Sequence, residues 1–328
     1  MSASPVALFV YNRADNTRHT LEALMANTLA PQTEVYVFSD GGRDDASWAL
    51  VGEVRRLLRE VEARVRATHA LRALHIIERP VNYYLERNVI EGIAYVLERH
   101  PTIIVLEDDI VTSPYFLDYM NTAFDIYRDE PRVMHVSGFT RVVRGAESIV
   151  GNTYFTRFMA GWGWGTWADR WHKHFRHYTS RAEALSGLTP ADISTIEYGG
   201  RFHCLQHLDH DPIPWDVCWL IAIYRAEGLC LTPTQTLVRN IGLDAGTHFS
   251  ALDLRLNICG RSLNIPLSRL IQSYEFDLPP RQLPLPVTYA RPQLDAATEE
   301  AVGEALRDWG IRYTPLGKLL RRVKHRLG

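Results

Sequence analysis

Three adjacent carboxylates, Glu107, Asp108 and Asp109, directly follow the apolar run 102–106. Neighbouring like charges repel and buried carboxylates are costly, so these side chains must face water or surround a cation. Carboxylate oxygens suit hard ions such as Mg²⁺ and Mn²⁺, which proteins usually hold through one or two carboxylates together with substrate phosphates. The triplet therefore predicts a metal site and a phosphate-bearing substrate, and a solvated acidic turn is the alternative interpretation.

Tryptophan is concentrated in one short segment that contains Trp162, Trp164, Trp167 and Trp171. Flat aromatic faces stack on sugar rings, and the intervening glycines allow the backbone to approach a ligand closely. We therefore predict that Trp162, Trp164 and Trp167 bind a sugar. The alternative is a tryptophan-rich corner of the core, because tryptophan is usually well buried whatever its role.

A single carboxylate, Asp216, lies between Trp215 and Trp219 at the start of an apolar helix. A carboxylate in apolar surroundings has a raised pKa and can act as a general base. An aspartate at this position could equally be the N-cap of the helix, and the two roles are compatible. Asp216 is thus the candidate catalytic residue.

Histidines form two groups, and another histidine ends a glycine-rich segment. The groups at 172–177 and 203–210 show neither HExxH nor CxxC spacing, so we expect polar surface there rather than structural zinc. The segment 240–248 (NIGLDAGTH) has glycine-rich backbone that can wrap a diphosphate, and His248 could complete a metal shell. A plain turn is the alternative for this segment.

The composition of the 328 residues is that of an ordinary globular protein, with 46% hydrophobic and 23% charged residues. The net charge is −2 and the isoelectric point is near 6.7, so the overall charge does not indicate nucleic-acid binding. The four cysteines lack CxxC spacing, which is typical of a reducing compartment. No apolar run approaches the roughly 18 residues of a transmembrane helix, so we expect a cytoplasmic protein.

Apolar runs alternate with helical periodicities through the first part of the chain. Strands are predicted at 5–11, 34–39, 74–77, 102–106 and 133–137, and helices from Asp15 or Asn16, from Asp44 or Asp45, from Tyr84 to His100 and from Tyr115 to Asp129. This alternation predicts an open, mainly parallel α/β sheet flanked by helices, with ligands at the carboxyl ends of the strands. Arg13, Asp40 and the acidic triplet all lie at such ends, which favours the metal-site interpretation.

After the fifth predicted strand the pattern becomes irregular and rich in aromatic, glycine and histidine residues. We predict one domain over 1–250, in which 138–250 is a substrate-binding half built onto the sheet of 1–137. A C-terminal extension is predicted over 251–328.

The predicted extension contains two distinctive segments. Residues 279–286 are proline-rich and are expected to form an extended linker or wrapping loop. Residues 315–328 have the pattern of a basic amphipathic helix, which can pack on its own domain or dock on an anionic membrane surface. Peripheral contact with the inner face of a membrane is therefore one possible role of this helix.

Six short motifs follow one another in the chain: Val10-Tyr11-Asn12-Arg13, Phe38-Ser39-Asp40-Gly41, Leu106-Glu107-Asp108-Asp109, Gly163-Trp164-Gly165-Thr166-Trp167, Trp215-Asp216 and Asn240-Ile241-Gly242. Their order and spacing resemble those of GT-A glycosyltransferases, specifically bacterial enzymes similar to N-acetylglucosaminyltransferase I. The third motif is similar to the variant DxD motif of that family. The resemblance implies a GT-A nucleotide-sugar-binding fold in which 1–137 is the nucleotide-sugar half and 138–250 the acceptor half.

The resemblance also implies a role for each site residue. Arg13 and Asp40 are expected to contact the nucleobase, and Asp108 the ribose. Glu107 is expected on the donor sugar, and Asp109 on the Mn²⁺ (or Mg²⁺) ion that bridges the diphosphate. The predicted site comprises Tyr11, Asn12, Arg13, Asp40, Asn82, Glu107 and Asp108 for the nucleotide sugar, Asp109 and His248 for the metal, Asp216 for catalysis, and Trp162, Trp164 and Trp167 for the acceptor.

The predicted function is metal-dependent, inverting transfer of a sugar from a UDP-sugar such as UDP-GlcNAc to a glycan or lipid-linked acceptor in bacterial surface-polysaccharide synthesis. Val217 stands where the eukaryotic relative has a second acid, and Pro80-Val81 stands where it has a His-Tyr pair, so the donor sugar is left open. The alternatives are a sugar nucleotidyltransferase and a non-catalytic nucleotide-sugar or glycan-binding module. The first would need a glycine-rich, basic phosphate loop after the first strand, which the sequence lacks.

Overall fold

The computed structural model describes residues 3–140, 151–242, 253–258, 261–266 and 287–313. The strands in chain order are β1 (Val6–Val10), β2 (Glu34–Ser39), β3 (Ala73–Glu78), β4 (Thr102–Glu107), β5 (Ile110–Thr112), β6 (Val133–Ser137), β7 (Thr153–Thr156), β8 (Trp164–Trp167), β9 (Leu229–Pro233), β10 (Val238–Asn240), β11 (Asp253–Ile258) and β12 (Arg261–Pro266). The α-helices are α1 (Ala14–Met25), α2 (Asp45–Thr68), α3 (Tyr84–Leu97), α4 (Phe116–Ile126), α5 (Ala168–His174), α6 (Arg181–Leu185), α7 (Pro190–Ile196), α8 (Trp215–Arg225) and α9 (Ala296–Tyr313).

Within the described residues, eight strands form one sheet in the order β3-β2-β1-β4-β8-β6-β9-β7. β8 is antiparallel to both of its neighbours and β7 is antiparallel to β9, whereas the other pairs are parallel. Thus β3, β2, β1, β4, β6 and β9 run in the same direction. This topology confirms the predicted open, mainly parallel sheet flanked by helices.

The predicted elements agree closely with the observed ones. The predicted strands 34–39 and 133–137 coincide with β2 and β6, and the other three differ by one residue at one or both ends. β4 extends one residue further than predicted, so that Glu107 is its last residue. The predicted N-cap of α2 is confirmed, because the Asp44 carboxylate accepts a 2.7 Å hydrogen bond from the Ser47 amide.

The start of α1 differs from the prediction that Asp15 or Asn16 caps it. The helix begins at Ala14, and Arg13 is the N-cap residue. The Thr17 amide and hydroxyl both donate to the Arg13 carbonyl, at 3.0 and 2.8 Å. Arg13 is therefore fixed at the junction of β1 and α1, at the carboxyl edge of the sheet.

The core has two layers, one on each face of the sheet. All five residues of β1 are buried, as expected for a parallel strand that helices cover on both sides. Leu8 packs in the cluster that includes residues of α1, α2 and α4, whereas Phe9 packs in the cluster that includes residues of α3 and α8. The two layers hold the carboxyl ends of the strands in fixed relative positions.

The described part of the C-terminal region packs on the rest of the chain. The Tyr289 ring stacks on Tyr119 with a centroid distance of 5.9 Å, and Glu299 of α9 pairs with Arg157 at 3.3 Å. The predicted proline-rich segment 279–286 and basic helix 315–328 lie outside the described residues. Among the helices that are described, none is long and apolar enough to cross a membrane.

Candidate active site

The acidic triplet lies at the carboxyl end of β4, in the turn that leads into β5. Glu107 is partly exposed, whereas Asp108 and Asp109 are buried. The turn is held from two sides. The Thr20 hydroxyl of α1 donates to the Asp108 carbonyl at 2.8 Å, and the Ile241 amide donates to the Asp109 carbonyl at 2.9 Å. The interpretation of the triplet as a merely solvated turn is therefore wrong for Asp108 and Asp109.

Arg13 supplies positive charge to the triplet. Its guanidinium pairs with the Asp108 carboxylate, with one N–H···O contact of 3.3 Å, and lies 3.1 Å from the Asp109 carboxylate. β1 and β4 are neighbouring parallel strands in which Phe9 pairs with Glu107, so residues that follow β1 meet the triplet. One guanidinium thus pairs with two of the three adjacent carboxyl groups.

The pKa values of all three acids are raised, mainly by burial. Burial raises the pKa of Glu107, and the charges of Asp109 and Asp108 raise it further. Burial also raises the pKa values of Asp108 and Asp109, while the neighbouring Arg13 guanidinium opposes the rise. Three carboxyl groups share one neighbouring guanidinium, and their oxygen donors suit a hard divalent cation.

The Gly242 backbone lies close to Asp109 and Arg13. β10 pairs antiparallel with β5, with Asn240 opposite Ile110, and so brings Gly242 to the site. A β-carbon on Gly242 would overlap the Asp109 carboxylate and would lie 2.7 Å from Arg13 Nη1. The Asn240 side chain accepts a 2.8 Å hydrogen bond from the Gly242 amide. Glycine is therefore required at this close approach.

The predicted diphosphate-binding segment continues beyond Gly242. Residues 243–248, including the predicted metal ligand His248, lie outside the described residues. Within the described part of the chain, no three His, Cys, Asp or Glu side chains are grouped so as to hold a metal ion. This finding includes the acidic triplet, whose three side chains do not form such a group. A metal on Asp109 would therefore need further ligands, such as substrate phosphates.

Asp40 joins two loops at the carboxyl ends of β2 and β3. The buried Asp40 carboxylate accepts hydrogen bonds from the amides of Gly41 at 2.9 Å and Tyr83 at 2.7 Å. Burial raises the pKa of Asp40, and these two hydrogen bonds oppose the rise. Asn82 holds the same two loops together, since its side-chain amide donates to the Gly41 carbonyl at 2.6 Å. The contact of Asp40 and Asn82 with a nucleotide stays a prediction.

An aromatic and cationic cluster lies beside these loops and was not predicted. The Arg43 guanidinium lies 5.6 Å from the centroid of the Tyr11 ring and 4.7 Å from that of Tyr84. Tyr84 is 54% exposed and has a positive φ of 58°. Asn12 is partly exposed between Tyr11 and Arg13. The adjacent residues Tyr83 and Tyr84 are the feature of the sequence from which this cluster could have been predicted.

Asp216 is an exposed residue in the first turn of α8. Pro214 is the N-cap residue, so the prediction that Asp216 caps the helix is wrong, and its exposure also contradicts the predicted apolar surroundings. The pKa of Glu107 is raised mainly by burial and by the other two acids of the triplet, and the charge of Asp216 adds to this effect. Trp215, the residue before Asp216, stacks on Trp164, and Trp164 pairs with Val105 of β4, so the start of α8 lies beside the end of β4.

The structure corrects the prediction that Trp164 and Trp167 contact an acceptor. Trp164 is 0% and Trp167 is 3% exposed. The Trp164 ring is stacked between His135 and Trp215, with centroid distances of 5.1 and 5.3 Å. A ring covered on both faces has no surface for a sugar, so these two residues form the core corner that was the alternative interpretation.

Trp162 differs from its neighbours because it is partly exposed. Its ring packs on Phe139 with a centroid distance of 4.7 Å. Of the three predicted acceptor-binding tryptophans, Trp162 alone keeps that role as a prediction. Phe139 was not predicted, and no motif in the sequence marks it.

Comparison with known proteins gives a family and a set of structural similarities. The model of the GNT-I family matches residues 1–178, which is more than half of the chain. No curated protein sequence matches. Among solved structures, the mannosyltransferase PcManGT from Pyrobaculum calidifontis, in complex with GDP-Man and Mn²⁺, has 13% identity and a TM-score of 0.40, covering 69% of each chain. S. aureus TarS 1-349 in complex with UDP-GlcNAc has 11% identity and a TM-score of 0.37, covering 54% of this chain and 49% of its own.

Proposed function

The chain belongs to the GNT-I family and is a glycosyltransferase, and on this premise we propose that it transfers a sugar with inversion from a nucleotide sugar to an acceptor hydroxyl. The proposed donor is a UDP-sugar, UDP-GlcNAc above all, and the proposed acceptor is a glycan or glycolipid of a bacterial surface polysaccharide. The observation that supports this proposal most is that the acidic triplet, Arg13 and Gly242 meet at the end of β4. The start of α8, which carries Asp216, lies beside them, because Trp215 stacks on Trp164 and Trp164 pairs with Val105 of β4. A base, carboxylates for the donor and a closely approaching backbone are the parts that such a transfer needs.

Each carboxylate of the triplet is assigned one task. We assign Asp109 to a divalent metal, Mn²⁺ or Mg²⁺, Asp108 to the ribose and Glu107 to the donor sugar. The metal, when bound, would stabilise the negative charge of the departing diphosphate. The assignment fits the oxygen donors at this site, where three acids share one guanidinium.

Asp216 is assigned the role of general base. The acceptor oxygen forms a bond to the anomeric carbon, and its proton passes to the Asp216 carboxylate. The bond from that carbon to the diphosphate oxygen breaks, and its electron pair leaves with the diphosphate. The transition state resembles an oxocarbenium ion, as in glycoside hydrolysis, and exposure of Asp216 leaves it accessible to an incoming hydroxyl.

Arg13 has two tasks in this proposal. Without ligands it neutralises part of the charge of Asp108 and Asp109. A metal ion on Asp109 would compete with the guanidinium for the same carboxylate, because the two cations repel. Release of Arg13 from Asp109 would then leave it available for the nucleotide, in agreement with the nucleobase contact that the family resemblance implies.

We expect Arg13→Met to strengthen Mn²⁺ binding in the absence of nucleotide, by roughly tenfold, since a competing charge within 4 Å is removed. The same change should weaken binding of a UDP-sugar. Mn²⁺ titration followed by electron paramagnetic resonance, at mildly alkaline pH to limit proton competition, measures the first effect. Arg128→Met is the matched control, because Arg128 is exposed in the turn after α4 and pairs only with Asp125 among the described ion pairs. Unchanged or weaker Mn²⁺ binding by the Arg13 variant would contradict the competition.

Donor binding provides the direct test of the proposed function. A ligand at about 100 times its Kd stabilises the folded state by ~2.7 kcal/mol, so thermal unfolding can rank nucleotide sugars. We expect the largest shift with a UDP-sugar in the presence of Mn²⁺, and Asp109→Asn should abolish the part of the shift that depends on the metal. If no nucleotide sugar shifts the unfolding temperature with or without Mn²⁺, the proposed function is wrong.

A further inference from the structure

β3 is an edge strand, and among the described residues no strand pairs with its outer side. It is the first strand in the sheet order and has β2 as its neighbour. The Arg79 amide, just after β3, donates to the Ser39 carbonyl of β2 at 2.8 Å. Because backbone groups alternate in direction along a strand, the amides and carbonyls of Leu74 and Ile76 face away from β2. β3 thus presents a row of outward hydrogen-bonding groups that a further strand can use.

The strand at the opposite edge of the sheet, β7, is covered by the C-terminal region. The Asn152 amide, next to β7, donates to the Thr288 carbonyl at 3.3 Å. Tyr154 of β7 packs against Val302 and Leu306 of α9. Proteins commonly cover an edge in this way to prevent unwanted strand pairing. In the described part of the chain, the edge of β3 has no such cover.

The side chains of β3 do not prevent pairing either. The strand Ala73–Glu78 contains neither proline nor lysine, the residues that most often block an edge. Ile76 and Ile77 are partly exposed, and Val81, just beyond the strand, is 56% exposed. Six residues are also the usual length of a paired strand. These properties are typical of an edge to which another strand is added.

The sequence of this edge is complementary to itself. Residues 72–78 read RALHIIE, with His75 at the centre. Antiparallel pairing with a second copy about His75 would place aliphatic residues opposite aliphatic ones and a base opposite an acid. The opposed pairs would be Leu74 with Ile76, Ala73 with Ile77, and Arg72 with Glu78 of the second copy. Such cross-strand pairs stabilise a sheet.

The neighbouring registers lack this complementarity. An axis at Ile76 would place Leu74 opposite Glu78, and an axis at Leu74 would place Arg72 opposite Ile76. The backbone also favours the axis at His75, because each hydrogen-bonded antiparallel pair exchanges two hydrogen bonds. With this axis, the outward groups of Leu74 in one copy meet those of Ile76 in the other. Side chains and backbone therefore select the same register.

We propose that the chain self-associates through β3, as a two-fold dimer in which the two β3 strands pair antiparallel about His75 and the two sheets become one. A two-fold interface uses the same surface on both copies and therefore needs a self-complementary one. The carboxyl ends of the strands point to opposite edges of the joined sheet, so each copy keeps its own candidate active site. Two paired strands bury a small area, and we expect a dissociation constant in the micromolar range.

Sedimentation velocity of the full chain at increasing micromolar concentrations measures this association, and His75→Lys is the variant that should weaken it. His75 Nε2 lies 3.3 Å from the Glu34 carboxylate, so a lysine keeps an ion-pair partner within one copy. In the dimer, the two lysines would lie opposite each other and repel. We expect the dissociation constant to rise by roughly tenfold or more. His172→Lys is the matched control, because His172 is exposed on α5.

Cysteine cross-linking tests the register. Opposite residues of a non-hydrogen-bonded antiparallel pair have Cα atoms about 4.5 Å apart, which a disulfide can span. His75→Cys should therefore form a linked dimer on oxidation with copper phenanthroline. Ile77→Cys alone should not, because its two copies would be roughly 14 Å apart along the paired strands. An equal mixture of Ala73→Cys and Ile77→Cys should cross-link, and the unaltered protein controls for the native cysteines.

Three results would overturn the proposed dimer. These are an unaltered protein that sediments as a monomer at every concentration, a dimer that a folded His75→Lys variant retains with unchanged affinity, and cross-linking of Ile77→Cys alone that equals that of His75→Cys. A cooperative thermal transition shows that each variant is folded. None of these measurements involves sugar transfer, so the proposed function would stand whichever result is obtained.

Discussion

Asp216→Asn is expected to lower kcat for sugar transfer by roughly 10²- to 10⁴-fold, the usual contribution of a general base. The substitution keeps the size and shape of the side chain but removes the group that accepts the proton of the acceptor. Asp216 is exposed in the first turn of α8, so the change should leave packing intact. The Val217 amide, which donates to the Asp216 carboxylate at 2.8 Å, can donate to the amide oxygen instead.

The base assignment requires that donor and metal binding survive this substitution. Thermal shifts with the UDP-sugar and Mn²⁺ should match those of the unaltered protein, while initial rates of transfer fall. Asp125→Asn is the matched control, since Asp125 is an exposed carboxylate on α4 whose partner is Arg128. Normal turnover by the Asp216 variant, or an equal loss of donor binding, would show that Asp216 has another role.

The arrangement of the sheet could be predicted from the sequence because local pattern determines it. Continuous apolar runs such as β1 and β4 are typical of strands covered on both faces, and their alternation with helices implies a parallel order. That order alone brings Arg13 and Glu107 to one edge. The positions of the site residues along the chain were therefore informative even before their contacts were known.

Side-chain environments were predicted less well, because composition does not reveal which face of a strand a residue occupies. Trp164 and Trp162 are two residues apart and have the same side chain, yet one is fully buried and the other is partly exposed. Trp164 lies within β8, whereas Trp162 precedes the strand in a turn. The exposure of Asp216 was missed for a related reason, since its apolar neighbours Trp215 and Val217 point into the core and Asp216 does not.

Contacts between distant parts of the chain could not be predicted from a single sequence. The Arg13 ion pairs, the approach of Gly242 to Asp109 and the packing of Phe139 on Trp162 all depend on the tertiary fold. Three adjacent carboxylates nevertheless indicate the need for a cation at the triplet. The structure identifies Arg13 as a resident cation at that site, which the sequence had suggested only as a residue for the nucleobase.

Gly242→Ala is expected to weaken Mn²⁺ binding by roughly 10- to 100-fold, the range found when a group that orients a metal ligand is altered. The added methyl group would overlap the Asp109 carboxylate and would also press on Asp109 Cβ at 2.7 Å. Arg13 can withdraw its flexible end, but the short Asp109 side chain can only rotate away from its present position. Sugar transfer should fall at least in proportion at subsaturating metal, and added Mn²⁺ should restore part of it.

Gly52→Ala separates this local effect from a general cost of replacing glycine. Gly52 is exposed in α2, and a β-carbon there would meet no atom within 4 Å. Its substitution should leave Mn²⁺ binding unchanged and raise the free energy of unfolding by about 0.5–1 kcal/mol, because alanine favours the helix. Mn²⁺ titration and thermal unfolding of both variants give the comparison. If Gly242→Ala binds Mn²⁺ as tightly as Gly52→Ala does, Asp109 does not hold the metal in the position that its contact with Gly242 defines.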